Sequence, residues 1–445
     1  MRVSVIGCGH LGASHAAAMA ELGHEVIGVE IDPAKCDVLS TGKSWFYEAG
    51  LDELLAKHVP TGRLRFTTDP AEAAAFADLH FIATGTPLRE DGRGYDAGQV
   101  IGAVETLVPL IDRPATIVGK STVTVGTVAT LQQLVADKAT VPGVELVWNP
   151  EFLREGYAVQ DSLFPDRLLV GLTSDTARKA IEEVFAPILA RGDIEMVVTD
   201  PQTAEVAKAA ANSYLAAKIS YINAVAEVCD LTGANVDDVA YAMGIDKRIG
   251  HAGMRPGLGY GGGCLPKDVA AFAYAAGEMG AAGAAGLLDA VQAVNRGRQH
   301  AAVALITNAL GGSARGRTIA FLGGAFKAGT SDVRDSPALR LAARLHELGA
   351  TVQLFDPKAL DNARRSHPQL SFADSTLDAV EGADVVVIAT EWTAFTGDPK
   401  LPETAGGRAR TRTVVDVRNA LEADPWLAAG WTVHQMGRPS RTPAA

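Results

Sequence analysis

The sequence predicts an α/β protein in which two doubly wound sheets are joined by a long central helix. Two observations lead there. Short apolar, strand-like runs alternate with helical patterns over residues 1–200, and the same alternation returns over 311–437. Such alternation implies βαβ units and mainly parallel sheets. Between the two series, residues 201–310 carry helical patterns only. A chain of 445 residues is long enough for two or three domains, each with a core of its own. The expected layout is an N-terminal lobe at 1–200, a helical segment at 201–310, a C-terminal lobe at 311–437 and a frayed tail at 438–445.

Composition narrows the function. With 47% hydrophobic and 21% charged residues, the chain has the make-up of a soluble globular protein. A net charge of −12 argues against nucleic-acid or anionic-membrane partners, while leaving room for a local basic pocket. Cys8, Cys36, Cys229 and Cys264 are widely spaced and form no CxxC. Neither a metal site nor a disulfide framework is expected, which fits a reducing cytoplasm. Gly and His interrupt any signal-peptide core at the N-terminus, and no window offers the roughly 20 apolar residues of a membrane span.

The N-terminal lobe opens with a strand at 3–6, GCGHLG at 7–12, an Ala-rich helix to about 22 and a strand at 24–30. Gly7, Gly9 and Gly12 form GxGxxG between a strand and a helix, and Glu30 ends the next strand. That is the context of a Rossmann-like dinucleotide fingerprint. Gly7 allows the tight turn, Gly9 the approach of a pyrophosphate, and Gly12 close helix packing. Glu30 would accept from ribose hydroxyls and repel a 2′-phosphate, so NAD is expected over NADP. Three further strand-like runs end in loops: 78–85 in TGTP, with Thr86 and Pro87; 116–120 in STV, with Ser121 and Thr122; and 146–148 in NPEFLREG, with Glu151, Phe152, Leu153 and Glu155. Loops at the carboxyl ends of strands gather round the ligand crevice of an open α/β sheet. They are expected to wall one site, with an αβ extension at 157–200 completing the lobe.

From 201 to 233 a long helical run places Lys208 and Asn212 four apart, on one face. Asn is intrinsically unfavourable inside a helix, although a solvated Lys and a capping or core Asn would also fit. A helix of this length between two α/β lobes is a natural dimerisation element. After a short helix at 236–243 comes GLGYGGGCLPKD at 257–268, five glycines ahead of Cys264. Pro266 favours a helix start here, so Cys264 would sit at a helix N-terminus, where a thiolate is favoured. Asp268 follows one turn on, giving a nucleophile with an acid/base neighbour. Taken alone, the stretch also fits a buried cysteine beside a tight turn. A helical pattern loosened by glycines runs on to 310. The C-terminal strands are expected near 317–323, 346–357, 383–392, 413–421 and 431–437. There GGAFK stands in place of GxGxxG, so this lobe should bind a nucleotide differently, if at all.

Several of these motifs together resemble the nucleotide-sugar 6-dehydrogenase family, in its UDP-glucose/GDP-mannose branch. The resemblance runs through GCGHLG, YEAGLDELL at 47–55, TGTP, KSTVTVGT at 120–127, NPEFLREG and PDRLLVG at 165–171. It continues through AKAAANSYLAAKIS at 207–220, RIG at 248–250, GYGGGCLPKD, AFKAGTSDVRDSPAL at 325–339 and DVRNAL at 416–421. It implies that a sugar C6 alcohol is oxidised twice to a carboxylate, consuming two NAD, with UDP-glucose the expected substrate. By the same resemblance, Cys264 forms a thiohemiacetal and then a thioester. Lys208, or a water held by Thr122, Glu151 or Asp268, serves as base, and Lys208 and Asn212 stabilise oxyanions at C6. Glu151 and Glu155 divide between base work and cofactor contact.

His10, Leu11, Lys35, Thr86, Pro87, Ser121, Thr122, Lys267 and Arg334 join the cofactor contacts in this reading. Phe152, Leu153, Gly259, Tyr260, Gly261 and Phe326 join the substrate contacts. Arg248, Arg255, Lys327 and Arg418 are the cations expected near the pyrophosphate, with Arg248 reaching the site of a partner subunit in a homodimer or larger homo-oligomer. Glu30, Gly263 and Leu265 depart from the family's usual Asp, Ser and Phe. The LPKD ending also occurs in relatives acting on GDP-mannose, so GDP-mannose or a UDP-N-acetylhexosamine stays open as the substrate. A two-electron 3-hydroxyacid dehydrogenase shares the plan but has no use for Cys264, and a silent nucleotide-sugar binder should have lost Cys264, Lys208 or Asn212.

Overall fold

A computed structural model describes residues 1–92 and 94–444. The chain divides into two compact units, Met1–Ala211 with Tyr274–Gly280, and Asn212–Ala273 with the chain from Ala281 onward.

The first unit is an eight-stranded sheet. Its strands are β1 (Arg2–Ile6), β2 (Glu25–Val29), β3 (Leu64–Thr67), β4 (Leu79–Ile82), β5 (Ala115–Gly119), β6 (Val144–Trp148), β7 (Arg167–Gly171) and β8 (Glu195–Thr199), in the order 3-2-1-4-5-6-7-8. Successive residues split between two cores. Val3, Val5, Phe81 and Val118 enter one cluster, while Ile6, Ile82, Ile117 and Trp148 enter the other. Burial on both faces is why these strands are continuous apolar runs rather than alternating ones. The αβ extension joins the same sheet, but β7 lies antiparallel to β6, paired at Trp148 and Gly171. The connection between them holds one six-residue helix, Ala158–Leu163, which packs on the helix His10–Glu21 instead of crossing the sheet.

The second unit contains the remainder of the helix Pro201–Thr232, the helix Val236–Gly244, most of the helix Leu265–Glu278 and the whole of the helix Ala282–Ala309. Gly283 and Gly286 do not interrupt the last of these; the break falls before it, at Gly280 with φ +80°. The six strands are β9 (Thr318–Leu322), β10 (Thr351–Phe355), β11 (Ser371–Phe372), β12 (Val385–Ile388), β13 (Thr413–Asp416) and β14 (Thr432–Gln435), in the order 11-10-9-12-13-14 and parallel throughout. Both units are thus doubly wound Rossmann-like sheets, as expected. In the turn after β9, however, the Asp356 carboxylate accepts from the N–H groups of Gly324 and Ala325 at 2.8 and 3.0 Å.

The end of the chain differs from expectation. Arg441 pairs with Val433 in an antiparallel bridge, its guanidinium meets Asp424 at 2.8 Å, and Arg438 pairs with Asp237. Residues to Arg441 are therefore tied down rather than frayed, because two arginines find carboxylates that only the tertiary fold presents. Among the described residues no helix is long and apolar enough to cross a membrane.

Gly119, the last residue of β5, lies under the Trp148 ring, and a Cβ there would overlap the ring carbons. Trp148 is 1% exposed and has no free side to retreat to. Gly119→Ala should therefore lower the stability of the first unit by about 1–3 kcal/mol, seen as an earlier urea midpoint for the tryptophan signal.

Candidate active site

In the first unit the site grows from the turn after β1. Gly7 takes φ +91° and donates its N–H to Val29 O at 2.9 Å, while a side chain at Gly12 would overlap the Gly7 carbonyl. A Cβ on Gly9, by contrast, meets nothing within 4 Å. The turn is closed where the helix packs and open where a pyrophosphate would lie, so these residues fit NAD. Glu30 is buried beneath the turn; its carboxylate accepts from Cys8 N–H at 3.2 Å and from Asp32 N–H at 3.0 Å. Lys35 stands 4.7 Å over the Trp45 ring and 3.5 Å from Asp32, and His10 packs on Trp45 and Phe46. Leu11 is half-buried beside it.

The three loops are tied to one another. Ser121 Oγ donates to Thr84 O, and Thr86 Oγ1 to Thr122 O, both at 2.7 Å; Pro87 accepts from Asp96 N–H through its carbonyl at 2.8 Å. Glu151 Oε2 accepts from Leu153 N–H at 2.6 Å, and its Oε1 receives Lys208 Nζ at 3.3 Å. Two cations stand over the Phe152 ring, Arg167 at 3.9 Å and Lys208 at 5.1 Å from its centre. Glu155 is half-buried on the same loop. Lys208 is 3% exposed. Burying an ammonium is expensive unless it is paired, and Glu151 supplies the pair.

Four supports were not singled out in the sequence. Glu48, within YEAGL, accepts from Gly156 and Ala158 N–H at 2.8 Å each, holding the loop that carries Glu155. Glu205, one turn before Lys208, accepts from Gly126 and Val128 N–H at 2.7 and 2.8 Å, tying the Thr122 loop to the long helix; burial pushes its carboxyl above the usual range. Lys120 and Asn149 pair beneath Glu151 at 2.9 Å. Position was the signal for three of them, since Lys120, Asn149 and Glu205 lie within three residues of one already chosen; Glu48 had none beyond its place in YEAGL.

In the second unit Cys264 directly precedes the helix Leu265–Glu278, and its carbonyl accepts from Asp268 N–H at 2.9 Å. Asp268 is 1% exposed and gripped from two sides, by Asn212 Nδ2 and by Lys267 Nζ, both at 2.6 Å. The glycines ahead of Cys264 are needed because their neighbours touch the backbone. A Cβ on Gly261 would meet Pro337, one on Gly262 the Phe326 ring, and one on Gly263 the guanidinium of Arg334, at 2.5–2.6 Å each. Arg334 is held there by Asp332 at 2.6–3.0 Å. Asn295 holds Tyr260 by accepting from its N–H at 2.9 Å and donating to its carbonyl at 3.0 Å; burial pushes the Tyr260 phenol up to about 12. Arg418 donates to Glu391 at 2.8 Å and to the Gly259 carbonyl at 3.4 Å. Lys327 lies 5.5 Å from the Phe326 ring centre. Arg248 and Arg255 do not join this group: both are exposed, and Arg248 bonds Asp246 on its own turn.

Comparison with known proteins decides the family. Residues 1–189, 202–297 and 320–423 match in turn the NAD binding domain, the central domain and the UDP binding domain of the UDP-glucose/GDP-mannose dehydrogenase family. The chain belongs to that family. It is an NAD-dependent dehydrogenase with a nucleotide-sugar substrate. It is 36% identical to a UDP-glucose 6-dehydrogenase of Bacillus subtilis, covering 100% of this chain and 99% of that one. It is 37% identical to the UDP-glucose 6-dehydrogenase of Rhizobium meliloti, covering 99% and 100%. Among solved structures it is similar to a UDP-glucose dehydrogenase from Pyrobaculum islandicum, with TM-score 0.87 and 35% identity over 95% of both chains.

The Glu30 carboxylate sets a cofactor prediction. Glu30→Gln keeps an oxygen for one backbone N–H but removes the charge opposing a 2′-phosphate. The ratio of kcat/KM for NAD over NADP should narrow by at least about tenfold, the scale of one lost contact between charges near a surface. An unchanged ratio would show that Glu30 does not select the cofactor.

Proposed function

We propose that this protein oxidises UDP-glucose at C6 to UDP-glucuronate in two successive steps. Support comes from the named relatives, which cover the whole chain, and from the pairing of a helix-start cysteine with the buried Asp268 beside it. NAD, when bound, supplies the hydride acceptor for each step. Lys208, paired with Glu151, takes the C6 hydroxyl proton directly or through a water held by Thr122. Cys264 adds as a thiolate to the aldehyde carbon, and Lys208 and Asn212 stabilise the oxyanion formed there. Oxidation of this thiohemiacetal leaves a thioester. Water, with Asp268 or Glu151 as base, then cleaves the C–S bond, releasing the carboxylate and restoring the thiol.

Arg418 and Lys327 serve the pyrophosphate in this scheme, with Gly259, Tyr260, Gly261 and Phe326 lining its site. Lys267 and Arg334 serve the cofactor. Arg255 is assigned to the substrate as well, and Arg248 to the substrate of a partner subunit; both are exposed. The helix Pro201–Thr232 offers the subunit boundary: Tyr214, Tyr221 and Val228 recur every seven residues on its outer face, with Leu215 and the 88% exposed Leu231 beside them. An apolar row of this kind fits a two-fold homodimer. The cytoplasm is the assigned compartment, from cysteine spacing that suggests no disulfides.

Purified enzyme should form two NADH per UDP-glucose, with GDP-mannose and UDP-N-acetylhexosamines much poorer substrates. A stoichiometry of one, with free aldehyde as product, would remove the thioester from the scheme. Cys264→Ser should still bind NAD and UDP-glucose but lose two to three orders of magnitude in turnover, about 3–4 kcal/mol of transition-state stabilisation. Full conversion to the acid by that variant would make the cysteine structural.

Light scattering tests the dimer separately. Wild type should run as a dimer or larger assembly, and Tyr221→Glu with Val228→Glu as a monomer. A monomeric wild type at micromolar concentration would refute the interface.

A further inference from the structure

The first unit holds a second buried lysine, which the scheme above does not use. Lys120 follows β5 directly and is 7% exposed. Its N–H donates to Ile82 O at 2.9 Å, and its carbonyl accepts from Glu151 N–H at 3.3 Å. The ammonium donates to Asn149 Oδ1 at 2.9 Å, and Asn149 Nδ2 donates to Leu169 O at 2.8 Å. The ring of Phe185 lies 6.0 Å from Nζ. A glutamine could make the same bond to Asn149, and a methionine would fill the volume without the penalty of a buried charge. The charge itself therefore needs a reason.

The groups around it supply one. Glu151 faces Lys120 with opposite charge and Lys208 with like charge, while burial lowers the Lys120 pKa to about 8. His15, another titratable neighbour, is held well below its ordinary pKa by burial and then by Lys120. Glu151 thus touches both lysines, its N–H donating to the Lys120 carbonyl and its Oε1 receiving Lys208 Nζ, each at 3.3 Å. Two like charges brought together in this way disfavour each other's protonated form.

We infer that Lys120 is a positioning residue for the oxidation: its enclosed ammonium holds the Asn149–Glu151 loop and loosens the proton on Lys208. This rests on the role proposed above for Lys208. Removing a neighbouring positive charge stabilises the Lys208 ammonium, so any pH limit set by Lys208 must move upward.

The test is the pH profile of kcat/KM for UDP-glucose at saturating NAD. Lys120→Gln keeps the donor to Asn149 and removes the charge; the acid limb should move up by about one pH unit. Asn149→Asp, which leaves Lys120 in place and pairs it with a carboxylate, should move the limb in the same direction. Lys120→Arg, which keeps the charge, should keep the wild-type limb. A purely structural lysine would lower the melting temperature of Lys120→Gln while leaving its profile superimposable on wild type, and that result would overturn the inference. Lys208→Met separates the two ideas. If it retains turnover, the role of Lys208 fails and this inference with it. If it is inactive while Lys120→Gln is unshifted, only the inference about Lys120 fails.

Discussion

Buried carboxylates that accept from backbone N–H groups hold the ligand-facing loops of this protein in place. Glu48 grips the loop of Glu155, Glu205 the loop of Thr122, and Glu30 the turn after β1. Asp356 and Asp416 do the same in the second unit, Asp416 accepting from Arg418, Ala420 and Leu421. Each such bond to a charged acceptor contributes about 1.5–3 kcal/mol, and loss of the acceptor strands several buried donors at once. Thr122, Glu155 and Arg418 thus stand on segments fixed by these bonds, whereas Lys208, Asn212 and Asp268 are placed by helices.

The two units use their lysines differently. Lys208 in the first is paired with a carboxylate that also accepts from backbone, whereas Lys267 in the second lies against an almost fully enclosed aspartate. Asn212 adds a neutral donor to the same aspartate.

Much of the fold was legible because its signals are local. GxGxxG with Glu30 twenty residues on, the apolar strand runs and the unbroken helical pattern from 201 each rest on neighbours in sequence. The reversal of β7 was not legible, since periodicity carries no strand direction. The docked Arg438 and Arg441 were not legible either, because their partners Asp237 and Asp424 are distant in sequence. At the site, Cys264, Lys208, Asn212 and Asp268 stood out by residue type and spacing. Glu48, Glu205 and Lys120 did not: a charged residue in a helix or after a strand resembles a solvated one until packing encloses it.

Asp356 has a consequence for how two similar sheets share one chain. It follows β10 as Glu30 follows β2, and each carboxylate accepts from the turn after the first strand of its sheet, Asp356 from Gly324 and Ala325 N–H and Glu30 from Cys8 N–H. As part of the chain, such an acceptor is present at a high effective concentration. Each turn is thus set in shape before any nucleotide arrives, and binding need not pay for ordering it.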